Sequence, residues 1–231
     1  MNLYKLFIAL SILLGLSSCN WLDLEPTDTT TETDLFKTGD GYRIALNGIY
    51  QQMSETDLYG QQLTWGLLDV LGQTYSSSFL GTAYYASANY KYTDNRVKPL
   101  VEAIWEKAYN SIANCNNIIQ RIETESANLF EEGETEKNLI EGEALALRAY
   151  LHFDILRLFA PSMKKDDGKS YIPYVDTYPC TFQPYTTNNE VLKKAIADLK
   201  RAKDLVGPFD TADLKWMLTR YRFENDVRAG G

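Results

Sequence analysis

The sequence predicts a mostly α-helical fold: a tetratricopeptide-like helical-repeat core with long irregular loops. Three observations predict it. Apolar residues recur at spacings of three and four in four stretches between Tyr42 and Val206, and such spacing puts side chains on one helical face. Acidic, glycine- and proline-bearing turns separate the last three stretches. Trp105 and Tyr109 stand four apart on one of these paired helices, as in stacked helical pairs, although no clean fixed repeat length is present.

The elements follow in order. Lys5 precedes a short apolar run, Leu6 to Leu16, and then Ser17, Ser18 and Cys19. The run is too short to cross a membrane comfortably and has the form of a secretory signal. Small residues before a cysteine make a bacterial lipobox. Residues 1–18 therefore read as a lipoprotein signal peptide, with Cys19 as the lipidated residue. Several acyl chains on one cysteine give stable anchoring without a span. Residues 19–38, rich in Thr, Asp and Glu around Pro26, read as lipid anchor and extended tether.

A helical body begins at Gly39. Tyr42, Leu46, Ile49 and Met53 share a face, and that helix ends near Ser54. Residues 63–71 are apolar and read either as a short helix or as an irregular buried segment. Residues 72–95 alternate aromatics with small polar residues and show no helical period, which predicts a long loop. Helical spacing resumes from Val101 with Ile104, Ala108, Ile112, Cys115, Ile119 and Ile122. The next helix carries Ile140, Ala144, Leu147, Leu151, Ile155 and Leu158 and stops before Pro161. Residues 171–187 read as an extended connection. Thr187 and Glu190 form a capping box, and Leu192, Ala195, Leu199, Ala202 and Val206 make one face of a helix ending before Gly207 and Pro208.

Composition narrows the function. The chain has 231 residues, a net charge of −8 and a single histidine, His152. An acidic chain without a basic stripe is a poor nucleic-acid ligand, because that binding rests on neutralising phosphates. One histidine and no close cysteine pair give no zinc spacing, and no cofactor motif is present. Cys115, on an apolar helical face, reads as a buried thiol, with a Cys115–Cys180 disulfide as the alternative. Asp166, Asp167 and Gly168 read as a plain turn. Glu141 and Glu143 are two apart and point to different sides of their helix, which argues against a glycosidase pair facing one gap.

Several segments together resemble the SusD-like (RagB/SusD) family. Cys19-Asn20-Trp21-Leu22-Asp23-Leu24-Glu25-Pro26 looks like its lipid-anchor start, and Ala45-Leu46-Asn47-Gly48-Ile49-Tyr50 is similar to its first helix. Trp105, Tyr109, Ile112, Asn114 and Asn117 match a further helix. The run Glu141 to Tyr150, continuing through Phe153 to Arg157-Leu158-Phe159, is the most distinctive piece. Ile172-Pro173-Tyr174 and Asp198-Leu199 with Ala202 complete the series. The resemblance covers nearly all of residues 19–206 and implies that residues 39–231 are the family's N-terminal α-helical domain. Family members are longer, so it also implies that the C-terminal half is missing.

The resemblance implies a non-enzymatic lipoprotein of the outer membrane, at the cell surface. Such a protein binds an oligosaccharide or other nutrient and works with a SusC-like TonB-dependent transporter in uptake. Tyr84, Tyr85, Asn89, Tyr90 and Tyr92, in the aromatic stretch, are the candidate ligand-binding residues, because sugar C–H faces stack on aromatic rings. The same tyrosines could instead pack the loop onto the helices. The alternative for the whole chain is a truncated remnant, or a helical-repeat scaffold lipoprotein that binds a protein partner and no glycan.

Overall fold

The structure is a computed structural model that describes residues 32–210. The residues read as signal peptide, Cys19, most of the stretch read as tether and the last residues of the chain lie outside the described residues. The chain divides into two compact units, Met1–Leu35 and Phe36–Gly231. Of the first unit only a four-residue helix, α1 (Glu32–Leu35), is described. It is helical at the end of a stretch whose polar composition reads as extended.

In the second unit the helices are α2 (Gly39–Met53), α3 (Leu67–Leu71), α4 (Thr82–Ala88), α5 (Lys98–Ile122), α6 (Glu134–Phe159) and α7 (Asn188–Asp210). A two-stranded antiparallel ribbon, β1 (Ser170–Pro173) and β2 (Tyr185–Thr187), joins α6 to α7. The stretch read as wholly extended thus pairs its two ends, with Ile172 opposite Thr186. The mostly α fold is as the sequence predicts.

α6 is the central element. It packs on α5 along one side, on α7 along another, and also meets α2 and β1. A helix with partners on several sides needs apolar residues around most of its circumference. Its buried residues accordingly include Ile140, Ala144, Leu145, Leu147, Ala149, Leu151, Ile155 and Leu156. The α5 stripe is buried as its spacing predicts, from Ile104 through Ala108, Ile112, Cys115 and Ile119 to Ile122. Tyr42, Leu46, Ile49 and Met53 of α2 are buried too. Phe36, within the stretch read as tether, is buried with its ring edge-on to Tyr42 at 4.8 Å.

Local signals start the helices. The Thr38 hydroxyl accepts from the Gly41 amide at the head of α2, and α5 opens with proline in its first turn. The capping box before α7 is present: the Thr187 amide and hydroxyl donate to Glu190, and the Glu190 amide donates to the Thr187 hydroxyl. α7 runs on through Pro208 to Asp210 instead of stopping before Gly207. Its buried row also differs from the predicted one. Val191, Ala195 and Ala202 are buried, whereas Leu199 is 48% exposed.

Polar groups inside this core are paired, with the exception of Asn188 Oδ1. The Arg148 fork donates to both carboxylate oxygens of Asp198, each at 2.7 Å, and its third nitrogen donates to Asn116 Oδ1 at 2.8 Å. Tyr174 also donates to Asp198. Asn116 Nδ2 donates to the Val175 carbonyl at 3.0 Å, so α5, α6, α7 and the segment after β1 share one network. Glu141 is buried against Arg201, while Glu143 accepts from the Tyr50 hydroxyl at 2.8 Å. Burial is the first cause raising the Glu141 carboxyl above its ordinary range. The two carboxylates face different partners, as their spacing requires. Cys115 is a buried free thiol and Cys180 an exposed one, so they form no disulfide.

Candidate functional site

The aromatic stretch is more regular than its composition indicates. Within residues 72–95 lie a 3-10 turn at Ser77–Phe79 and the seven-residue helix α4. A helix that short is marginal by itself, so its packing on the preceding segment has to hold it. α3 buries Leu67 and Val70, and α4 buries Ala86 and Ser87.

Hydrogen bonds tie the two pieces together. Tyr84 is half-buried; its hydroxyl donates to Gln62 Oε1 at 3.1 Å and accepts from Gln61 Nε2 at 3.2 Å. Gln73 Nε2 donates to the Ala88 carbonyl at 2.8 Å, and the Tyr90 hydroxyl donates to the Leu71 carbonyl at 3.2 Å. Gln73 and Tyr90 are the two non-glycine residues with positive φ among the described residues, at 59° and 55°. Left-handed backbone costs an L-residue roughly 1–2 kcal/mol and tends to gather where the surroundings fix a local geometry. Both instances fall in this one stretch.

The ligand candidates separate. Tyr85, Tyr90 and Tyr92 are each about half exposed, at 50%, 54% and 51%. The Tyr90 and Tyr92 rings lie 6.4 Å apart at a tilt of 54°, and burial raises the Tyr92 phenol above its ordinary value, with Tyr90 adding to the shift. Asn89 is exposed, but its amide donates back to the Tyr85 carbonyl at 2.8 Å, closing the end of α4. Tyr84 turns its hydroxyl inward to the glutamines. Tyr85, Tyr90 and Tyr92 thus present rings to solvent, while Tyr84 and Asn89 shape the surface beneath and beside them.

Sequence reasoning missed three aromatic neighbours. Trp65, Tyr75 and Phe79 are also exposed, Phe79 almost fully. The Tyr75 hydroxyl donates to the Trp65 carbonyl at 2.8 Å, which joins the two. Nothing in local spacing marks Trp65: it sits in an apolar run that reads as core. Six exposed aromatic rings therefore fall within residues 65–92, a stretch whose only charged residues are Asp69 and Lys91. Among the described residues exposed rings occur elsewhere, at Tyr50, Tyr150, Phe153, Phe182 and Tyr185, but not at this density.

At the far end of the stretch Asp94 accepts from Arg96 on both carboxylate oxygens, at 2.8 and 2.6 Å. That pairing holds its carboxyl well below the usual range, through the Arg96 hydrogen bonds first. A carboxylate so engaged is a poor proton shuttle. Among the described residues no group of His, Cys, Asp and Glu could hold a metal ion, and no helix is long and apolar enough to cross a membrane. The exposed rings, hydroxyls and amides of this stretch can stack on a ligand and hydrogen-bond to it.

Comparison with known proteins places the chain. The family profile SusD-like, described as starch-binding and associating with the outer membrane, matches residues 20–219. SusD-like protein P2 of Formosa agariphila is 30% identical over 205 residues, which is 88% of this chain and 38% of that protein. The chain therefore spans about two fifths of that relative's length. The crystal structure of a SusD-like carbohydrate-binding protein from Bacteroides vulgatus superposes with a TM-score of 0.59 at 23% identity, over 74% of this chain and 36% of that one. A SusD homolog from Bacteroides thetaiotaomicron gives 0.51 at 17% identity, over 76% and 32%. These two likenesses concern the fold alone. The family match covers most of the sequence, and the chain belongs to the SusD-like family.

Proposed function

We propose that this chain is the N-terminal part of a glycan-binding lipoprotein of the outer membrane, and that the exposed rings between Trp65 and Tyr92 bind sugar. The observation that carries the reading is the density of exposed aromatic rings in a stretch almost free of charge. Sugar rings offer apolar C–H faces to aromatic side chains and hydroxyls to amides. A neutral polyhydroxyl ligand suits such a surface better than a phosphate or a peptide carboxylate, which would call for arginine or lysine. Tyr85, Tyr90 and Tyr92 are the stacking residues, with Trp65, Tyr75 and Phe79 extending the platform.

The family description supports binding rather than catalysis, and the paired or separated carboxylates described above supply no acid–base couple. In this reading Cys19 carries the lipid anchor, the chain faces outward from the outer membrane, and its oligosaccharide passes to a SusC-like TonB-dependent transporter. Residues 1–18 are then removed, residues 19–38 lift the body off the lipid, and the remaining length of the relatives supplies further ligand contacts.

Native gel electrophoresis through soluble starch and other neutral glucans tests the site. Tyr85→Ala combined with Tyr92→Ala should abolish retardation without changing the helical circular dichroism. Equal retardation of the wild type and the double variant would remove these residues from the site. A wild type that no glycan retards, yet that co-purifies with a transporter, would instead support the scaffold reading.

A further inference from the structure

α3 and α4 end in the same way. After Leu71 and the cap Gly72, Gln73 takes a positive φ; its amide donates to the Val70 carbonyl, and the Thr74 amide donates to the Asp69 carbonyl. After Ala88 and the cap Asn89, Tyr90 takes a positive φ; its amide donates to the Ser87 carbonyl, and the Lys91 amide to the Ala86 carbonyl. The two helix ends therefore share one backbone pattern, position for position. Glycine ordinarily fills the left-handed place in it, because a Cβ is strained there. Here a glutamine and a tyrosine fill it.

Both side chains are engaged, and each serves the other helix. The last carbonyl of a helix has no partner within that helix. The Ala88 carbonyl, last in α4, accepts from Gln73 Nε2 at 2.8 Å, and the Leu71 carbonyl, last in α3, accepts from the Tyr90 hydroxyl at 3.2 Å. Gln73 Nε2 also stands 3.5 Å from the Tyr90 hydroxyl. A glycine at either place would relieve the backbone and lose the bond across to the neighbouring helix. Helices this short are marginal alone, so each is fixed by the residue that terminates the other. The exposed Tyr90 ring thus has a tethered hydroxyl, and its stacking face is directed without any ligand.

We propose that Gln73 is a positioning residue for the Tyr90 ring, and that this exchange of caps holds α3 and α4 as one preformed ligand platform. The geometry stands by itself; its role in binding rests on the glycan-binding reading above. A preformed platform loses little freedom when a ligand arrives, which strengthens binding without adding a contact.

Two measurements on the full chain test this. The first needs no ligand. Acetylation by N-acetylimidazole, read by peptide mass spectrometry, compares the hydroxyls of Tyr85 and Tyr90, whose rings are similarly exposed. Tyr90 should react about fivefold more slowly than Tyr85 in the wild type and approach it in Gln73→Gly, since glycine keeps the turn but cannot hold the clasp. The second is retardation by a neutral glucan. Gln73→Gly and Tyr90→Phe should each weaken it about fivefold with the helical circular dichroism unchanged. The double variant should be no weaker than either single, because the two residues act as one unit. Equal reactivity of Tyr85 and Tyr90 in the wild type, a Tyr90 still protected in Gln73→Gly, or additive losses in the double variant would overturn the proposal. Full retardation of Gln73→Gly would overturn it while leaving the glycan reading in place. A wild type that no glycan retards, with Tyr90 still freed by Gln73→Gly, would remove the glycan reading and leave the clasp.

Discussion

The Val175 amide donates to His152 Nε2 at 2.9 Å, deep between α6 and the segment after β1. Nδ1 of the same ring lies 2.8 Å from the Arg148 carbonyl. A backbone amide can only donate and a carbonyl can only accept, so the ring is neutral with its proton on Nδ1. It stacks on Tyr174, ring centroids 3.9 Å apart. The one histidine of the chain is thus a backbone clamp.

Its titration gives the first prediction. Burial pushes the His152 imidazole down to about 4, from an ordinary 6.5. The unfolded chain therefore takes up the proton first as pH falls. Stability from this group is complete above pH ~6.5 and is lost between there and about pH 4, by ~3 kcal/mol. Urea midpoints measured at pH 7, 5.5 and 4 should fall accordingly. His152→Leu should be weaker at pH 7, because the Val175 amide loses its acceptor, yet show a flatter slope; a slope equal to that of the wild type would refute the assignment.

Arg148 and Asp198 are nearly buried, with side chains 9% and 12% exposed. Breaking such a pair leaves one charge without its partner, which costs about 3–5 kcal/mol. Arg148→Ala should lose this much in denaturant unfolding. Arg148→Lys should recover part of it only, since an ammonium cannot serve both Asp198 oxygens and Asn116 in the planar geometry of the fork. Full recovery by lysine would show that charge alone matters here.

Two helical glycines should respond in opposite directions. A Cβ at Gly48 in α2 meets nothing within 4 Å, so Gly48→Ala should raise stability by about 0.5–1 kcal/mol through the unfolded chain. At Gly142 in α6 a Cβ would stand 2.5 Å from Val206 Cγ2 and 3.2 Å from the Ala202 carbonyl oxygen. Gly142→Ala should therefore lower stability by about 1–3 kcal/mol as α7 is pushed away. Thermal unfolding of the two variants side by side checks both signs.

The two thiols of the body should differ in reactivity. Cys115 is buried and its thiol is pushed up to about 12, first by burial, so it carries almost no thiolate at neutral pH. Cys180 is exposed. Alkylation of the native protein followed by peptide mass spectrometry should modify Cys180 and spare Cys115, which reacts only after unfolding. Labelling of Cys115 in the folded chain would contradict its position in the α5–α6 core.

The long helices were legible because their apolar periods run for several turns. In α5 every residue of the predicted stripe is buried. The Thr187–Glu190 cap was legible for a similar reason: it is local chemistry over four residues. α4 was not legible. Thr-Ala-Tyr-Tyr-Ala-Ser-Ala is too short to show a period, and its stability comes from contacts with residues 61–73. The buried row of α7 was misassigned, because Leu199 fits a helical stripe as well as Ala202 does, and only the position of α6 chooses between them.

The sequence by itself determined the helical class, the spans of α2, α5 and α6, and the family, since each rests on patterns carried by neighbouring residues. It also marked the aromatic stretch. Tertiary structure alone decided which of those rings face solvent, that Tyr84 turns inward while Trp65 turns out, and that Arg148 chooses Asp198 across 50 residues. Exposure and long-range pairing are properties of how elements pack, and a ring reads the same in sequence whether it is covered or bare.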